Sequence, residues 1–243
     1  MKPIIGLVPS SRYTGNRDQD PCMDQYYFID NYIEMINKAG GIPMGVLLDK
    51  EKVSEEVLSH FDAFIIPGGH EVNRYIYEII DYAIKHNKPL LGICRGMHAI
   101  SIYSDVIESD NVDKVDDNFF TEYKRLKELN EGSLLKRLPD LSHNHVVTYD
   151  TMDIARHDVN IIDKDSLLYS IYKQDRINII SMHNYGVRWI GKDFKVTALA
   201  DDGVIEGVEY NKEGYFIVGT QWHPEHEDGA IFRRLVEEAI KRK

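Results

Sequence analysis

Pro89-Leu90-Leu91-Gly92-Ile93-Cys94-Arg95-Gly96-Met97-His98 carries a short apolar run, through two glycines and a cysteine, into a segment with helical spacing. The run 89–93 reads as a strand that is apolar throughout, hence buried on both faces. A helix follows from Gly96 to Tyr103. A strand that leads straight into a helix is the building unit of a parallel sheet.

The same alternation extends upstream. Residues 3–8 (PIIGLV) read as a strand, and 25–39 (QYYFIDNYIEMINKA) as an amphipathic helix with Asp24 as N-cap and Gly40-Gly41 as its stop. Residues 42–48 read as a strand, 54–60 as a short helix started by Ser54, 62–66 as a strand ending in Pro67-Gly68-Gly69, and 72–86 as a helix. This order predicts an α/β fold with a mostly parallel central sheet flanked by helices. Ligands on such sheets bind at the carboxyl ends of the strands, so the loops Pro67-Gly68-Gly69-His70 and Cys94-Arg95-Gly96 are the expected site.

Downstream the pattern changes. Residues 105–142 are dense in charge, with one helical piece around Phe119–Leu129, and read as a surface insertion in a single domain spanning 1–243. Beyond residue 145 come short β-type runs, HVVTYD, VNIID, INIISM, FKVTALA, VIEGVEY and YFIVGTQW. Asp201-Asp202-Gly203 marks a tight turn between two of them, and Ala230–Lys241 is an amphipathic helix.

Composition sets bounds. With 40 acidic against 29 basic residues the formal charge is −11, which argues against sequence-independent nucleic-acid binding. The two cysteines, Cys22 and Cys94, form no disulfide scaffold and no CxxC pair. No stretch approaches a membrane span, and the expected compartment is the cytoplasm.

Gly92-Ile93-Cys94-Arg95-Gly96 has the spacing of a nucleophile elbow with cysteine as the nucleophile. The flanking glycines permit a sharp turn, and the helix start supplies free N–H groups and a positive dipole end that favour thiolate. The N–H of Arg95 can face an oxyanion formed at Cys94, and the N–H of Gly69 is the expected second donor. Among ten histidines, His223 stands out in Gln221-Trp222-His223-Pro224-Glu225. Proline biases His223 to extended backbone, which puts Glu225 on the same side and able to fix its tautomer.

Taken in order, PGG, GICRGM and QWHPE resemble the class I glutamine amidotransferase-like superfamily, and most of all its gamma-glutamyl-gamma-aminobutyrate hydrolase group of gamma-glutamyl cysteine peptidases. KAGGIP, PGGHEVNRYIYE, Ile179–Val187 and Val204–Glu227 extend the resemblance. It implies a flavodoxin-like sheet with additional β-rich C-terminal strands. It also implies Cys94 as nucleophile, His223 as general base and acid, Glu225 as orienter, and an oxyanion hole from Gly69 and Arg95. The expected reaction is hydrolysis of a small gamma-glutamyl amide through a thioester, with no cofactor and no metal.

The chain departs from the family in three places. His98 stands four residues after the cysteine where the family has glutamine, Ser101–Asp105 replaces a glycine-rich stretch, and Ser181-Met182-His183-Asn184-Tyr185 replaces a histidine-rich one. His98 and His183 are the substrate-contact candidates, and His70 reads as a turn histidine. His143, His145, His223, His226, Glu227 and Asp228 fit no zinc spacing, and no phosphate-binding glycine loop is present in the sequence. The expected partner is the small-molecule substrate, with neither nucleic acid nor membrane, and a homo-oligomer is left open. Two rival functions stand beside the hydrolase: a glutaminase subunit feeding ammonia to a synthase, and a non-catalytic binding protein of the same fold.

Overall fold

The computed structural model describes residues 1–13, 24–48, 52–69, 74–108, 135–137, 155–188 and 190–243. The expected α/β architecture is what forms. The strands are β1 (Ile4–Leu7), β2 (Ser10–Tyr13), β3 (Asp24–Tyr27), β4 (Ile42–Gly45), β5 (Ala63–Ile66), β6 (Leu90–Ile93) and β7 (Leu135–Arg137). They continue with β8 (Arg156–Ile161), β9 (Arg176–Ile180), β10 (Tyr185–Val187), β11 (Phe194–Ala200), β12 (Ile205–Tyr210) and β13 (Ile217–Thr220). The helices are α1 (Asp30–Lys38), α2 (Glu55–Ser59), α3 (Arg74–Lys85), α4 (Arg95–Glu108), α5 (Leu167–Tyr172) and α6 (Ala230–Lys241), with a 3-10 turn at Pro224–His226.

Nine strands make one sheet in the order β4-β1-β5-β6-β13-β12-β11-β8-β9. The first five are mutually parallel, and β12, β11, β8 and β9 add antiparallel pairs. The switch at β13 brings the carboxyl ends of β5, β6 and β13 together.

Side chains on the parallel strands alternate between two cores. Phe64, Ile66, Leu90 and Ile217 pack with α3 and α4, through Tyr75, Ile79, Met97 and Ile100. Ala63, Ile65, Leu91, Ile93 and Val218 pack with α1 and α6, through Tyr32, Ile36, Phe232 and Leu235. Each such large side chain withdrawn from water contributes about 1.5–3 kcal/mol. Burial on both faces is why these strands read as unbroken apolar runs.

Three local expectations are corrected. Residues 24–27 are not the start of a helix capped by Asp24 but strand β3, paired antiparallel with β2. The Tyr26 ring lies 6.3 Å from that of Tyr75, so cross-strand pairing and aromatic packing override the helical spacing. Helix α1 instead begins after Ile29 and stops at the expected Gly40, whose φ of +90° suits glycine. Helix α4 runs on to Glu108, because Ser101–Asp105 lacks the glycines that would stop it. Of the block 105–142, residues 105–108 end α4 and 135–137 form β7 paired with β10; the remainder, with the Phe119–Leu129 piece, lies outside the described residues. So do Cys22, His70, His143, His145 and the run HVVTYD.

Candidate active site

Cys94 sits at the junction of β6 and α4 with φ +51°, a left-handed conformation rare for a residue with a Cβ. Both flanking glycines are required by close approach. A Cβ on Gly92 would lie 2.4 Å from Ile100 Cδ1 and 2.7 Å from the Gly96 carbonyl, and one on Gly96 would lie 2.2 Å from the Ile66 carbonyl oxygen. Strand, sharp turn and helix therefore interlock around the cysteine. The Cys94 N–H donates to the Thr220 carbonyl and its own carbonyl accepts from His98 N–H, so it opens the helix, with the Arg95 N–H in the first turn.

His223 and Glu225 arrive from the end of β13. The Nδ1 of His223 is 2.7 Å from Glu225 Oε1, and both side chains are buried. The expected extended run is not how Glu225 reaches the ring: Pro224–His226 is a 3-10 turn, since proline at its first position suits a helical start. A carboxylate at Nδ1 leaves Nε2 as the outward nitrogen. That Nε2 makes no hydrogen bond of ordinary geometry among the described residues, and the Cys94 thiol is the group beside it. A Cβ on Gly68 would lie 2.8 Å from His223 Cε1 and 3.6 Å from Cys94 Cβ, so imidazole and cysteine flank the same glycine.

Electrostatics favour charge separation here. Burial alone would push the His223 pKa down, but Glu225, with Cys94, outweighs it and carries the group up to about 10. Burial pushes Glu225 up, and the charge and hydrogen bond of His223 reverse this, holding it below the usual carboxylate range.

The glycine loop is fixed from both sides. Gly68 N–H donates to the Tyr32 hydroxyl at 3.1 Å, so it is spoken for, while Gly69 remains the candidate donor. The Arg95 guanidinium donates to the Pro67 carbonyl at 3.3 Å and lies 3.1 Å from where a Gly69 Cβ would sit. Ser10 Oγ donates to the Gly68 carbonyl at 3.3 Å. Sequence reasoning used only the Arg95 backbone; its side chain braces the loop as well.

His98 is buried one turn past Cys94, with Nε2 2.6 Å from Gln221 Oε1. It thus bridges α4 to the residue two before His223. His183 points elsewhere: Nδ1 is 3.0 Å from the Tyr185 carbonyl and Nε2 3.4 Å from the buried Glu206, which His157 also approaches at 3.3 Å. Glu227 is held by Arg156 at 2.9 Å and by the Ile180 N–H. Tyr32, Ser10 and Gln221 escaped the sequence reading. For Tyr32 the signal is a buried aromatic whose hydroxyl must find a partner.

The sequence model of the Peptidase C26 family matches residues 3–79 and 73–225. Protein NtpR of Enterococcus hirae is 23% identical over 254 residues, covering 93% of this chain and 92% of that protein. A glutamine amidotransferase-like protein of Rickettsia prowazekii is 25% identical over 277 residues, covering 99% and 97%. The glutaminase domain of Trypanosoma brucei CTPS, solved with bound acivicin, superposes with a TM-score of 0.67 at 17% identity over 99% of this chain and 94% of that one. The family match takes in the glycine loop, the cysteine elbow and the His223–Glu225 turn alike: the chain belongs to the Peptidase C26 family.

Proposed function

We propose that this protein is a cysteine hydrolase of gamma-glutamyl amide bonds in small molecules, with Cys94, His223 and Glu225 as its catalytic triad. The observation that carries the reading is the meeting of the Cys94 elbow with a His223 ring already fixed by Glu225 at 2.7 Å. Membership of the family and the names of the relatives support the coarser class, a cysteine hydrolase of glutaminase type.

The chemistry follows from the geometry. The Cys94 thiolate attacks the gamma-carbonyl carbon, and the C=O pair moves to oxygen. The N–H groups of Gly69 and Arg95 are the donors for that oxyanion, and one such donor is worth roughly 10²–10³ in rate. The imidazolium of His223 passes its Nε2 proton to the amide nitrogen, the C–N bond breaks, and the amine leaves a thioester on Cys94. His223, now neutral, takes a proton from water as the hydroxide adds to the thioester. Collapse breaks the C–S bond, frees the gamma-carboxylic acid, which gives its proton to solvent, and restores the thiolate–imidazolium pair. Glu225 keeps the ring in the needed tautomer throughout.

A panel of gamma-glutamyl amides with glutamine included, followed by mass detection of the released amine, tests the assignment. Turnover of at least one gamma-glutamyl amide, lost in folded Cys94→Ala, is expected; normal hydrolysis by pure Cys94→Ala rejects it. The second reading, a glutaminase that hands ammonia to a synthase, draws on the relatives named for glutamine amidotransferases. It predicts ammonia from glutamine and a rate that rises with a bound partner.

A further inference from the structure

We propose that Tyr32 is a positioning residue of this site, its hydroxyl joining the Glu225 carboxylate to the Gly68 N–H so that triad and glycine loop move as one unit. The proposal rests on the reading of the site as a cysteine hydrolase. Tyr32 projects from α1 and is 1% exposed. Gly68 N–H can only donate, so the Tyr32 oxygen is the acceptor at 3.1 Å. The phenolic proton must then go elsewhere. Helix α1 packs against the Pro224–His226 turn, with Asn31 Nδ2 3.3 Å from His226 Nδ1, and a Cβ on Gly68 would lie 3.4 Å from the Tyr32 hydroxyl and 2.8 Å from His223 Cε1, which brings the Glu225 carboxylate of that turn to the phenol. Glu225 Oε1 is taken by His223, whereas the buried Oε2 holds no hydrogen bond of ordinary geometry. It is the open acceptor at this carboxylate.

Burial, followed by the charge of Glu225, keeps the phenol protonated far above its usual range, so it stays a donor at working pH. The other titratable neighbours are His223 and His226 on the Glu225 turn and Cys94 on the elbow; Glu227 is held by Arg156. None of these replaces the hydroxyl as a neutral donor that also accepts from the loop. Helix α1 thereby reaches from behind the sheet to the two halves of the machinery, the proton-handling pair and the oxyanion loop.

Tyr32→Phe keeps the ring and removes one oxygen. Glu225 loses a donor, so its carboxylate becomes more basic and holds the His223 imidazolium more strongly. The midpoint of the His223 titration, followed by NMR of its imidazole C–H, is expected to rise by roughly half a unit or more. Hydrogen exchange at the Gly68 amide is expected to quicken by up to roughly tenfold, the worth of one bond. Should turnover be established, kcat falls by roughly tenfold while KM stays within about threefold.

A tyrosine that only fills the core would lower Tm and leave the His223 midpoint and the exchange where they were. Either of those two readouts unmoved in folded Tyr32→Phe overturns the proposal. If that variant does not fold, Tyr32→3-fluorotyrosine makes the hydroxyl a stronger donor and must move the His223 midpoint down; no downward shift overturns it too. Both readouts need no substrate. An unmodified chain that hydrolyses none of the amide panel sinks the proposed function while the Tyr32 link is still decided.

Discussion

Gly96→Ala sets two physical effects against each other at the centre of the elbow. Helix propensity favours alanine by about 0.5–1 kcal/mol, since Gly96 lies within α4. Packing says the opposite. The new Cβ would start 2.2 Å from the Ile66 carbonyl oxygen. Relaxing that to an ordinary contact of roughly 3.5 Å requires α4 and β5 to part by more than about 1 Å. The obstructing atom is sheet backbone and cannot rotate aside, so overpacking costs about 1–3 kcal/mol and outweighs the propensity gain. Ile66 directly precedes Pro67-Gly68-Gly69, so the displacement passes into the loop beside Cys94. A misplacement of about 1 Å costs roughly 10² in rate. Urea unfolding followed by far-UV circular dichroism, together with kcat on the best amide, measures both effects. A Gly96→Ala protein as stable as the parent, with kcat within twofold, would refute the reasoning.

Two further outcomes are expected. Glu225→Gln removes the charge that raises His223, so the alkaline limb of kcat/KM, near pH 10 in the parent, should move down and kcat should fall by roughly 10² or more. Because the folded pKa of His223 is raised, its stabilising share is whole below about pH 6.5 and fades as pH climbs through about 10; urea midpoints of parent and variant should converge over that window. Glu209 caps α5 by accepting from Leu167 and Leu168 N–H at 2.9 and 2.8 Å, so Glu209→Ala should lose about 1–2 kcal/mol of stability while leaving kcat unchanged.

What could be read from the sequence follows from which interactions are local. The elbow is local: two glycines four residues apart, a strand before and a helix after, and the structure needs both glycines for contacts of 2.7 Å or less. Ser54, Gly40 and the Asp202-Gly203 turn are likewise short-range signals, and they behave as expected. The β2–β3 pair escaped because Gln25–Tyr27 also satisfies a helical period, and only pairing with β2 and the Tyr75 ring decides between the two. Tyr32 escaped for a related reason. On a helical wheel it is one more apolar position, and its hydroxyl matters only once β5 and β13 bring Gly68 and Glu225 to it from 36 and 193 residues away.

The bracing of the glycine loop also bears on which rival reading fits better. A partner could gate a glutaminase by turning a loop peptide between an idle and a working orientation. Here the Gly68 carbonyl accepts from Ser10, the Pro67 carbonyl from Arg95, and the Gly68 N–H is held by Tyr32. No cis peptide occurs among the described residues, so the Gly69 N–H points away from the side on which Ser10 holds the Gly68 carbonyl. Turning the peptide would break the Ser10 bond outright and disturb the other two. At about 1 kcal/mol for each bond, the turned form is a minor population unless something stabilises it. A loop held in one orientation by the chain's own side chains argues against gating by a turn of this peptide.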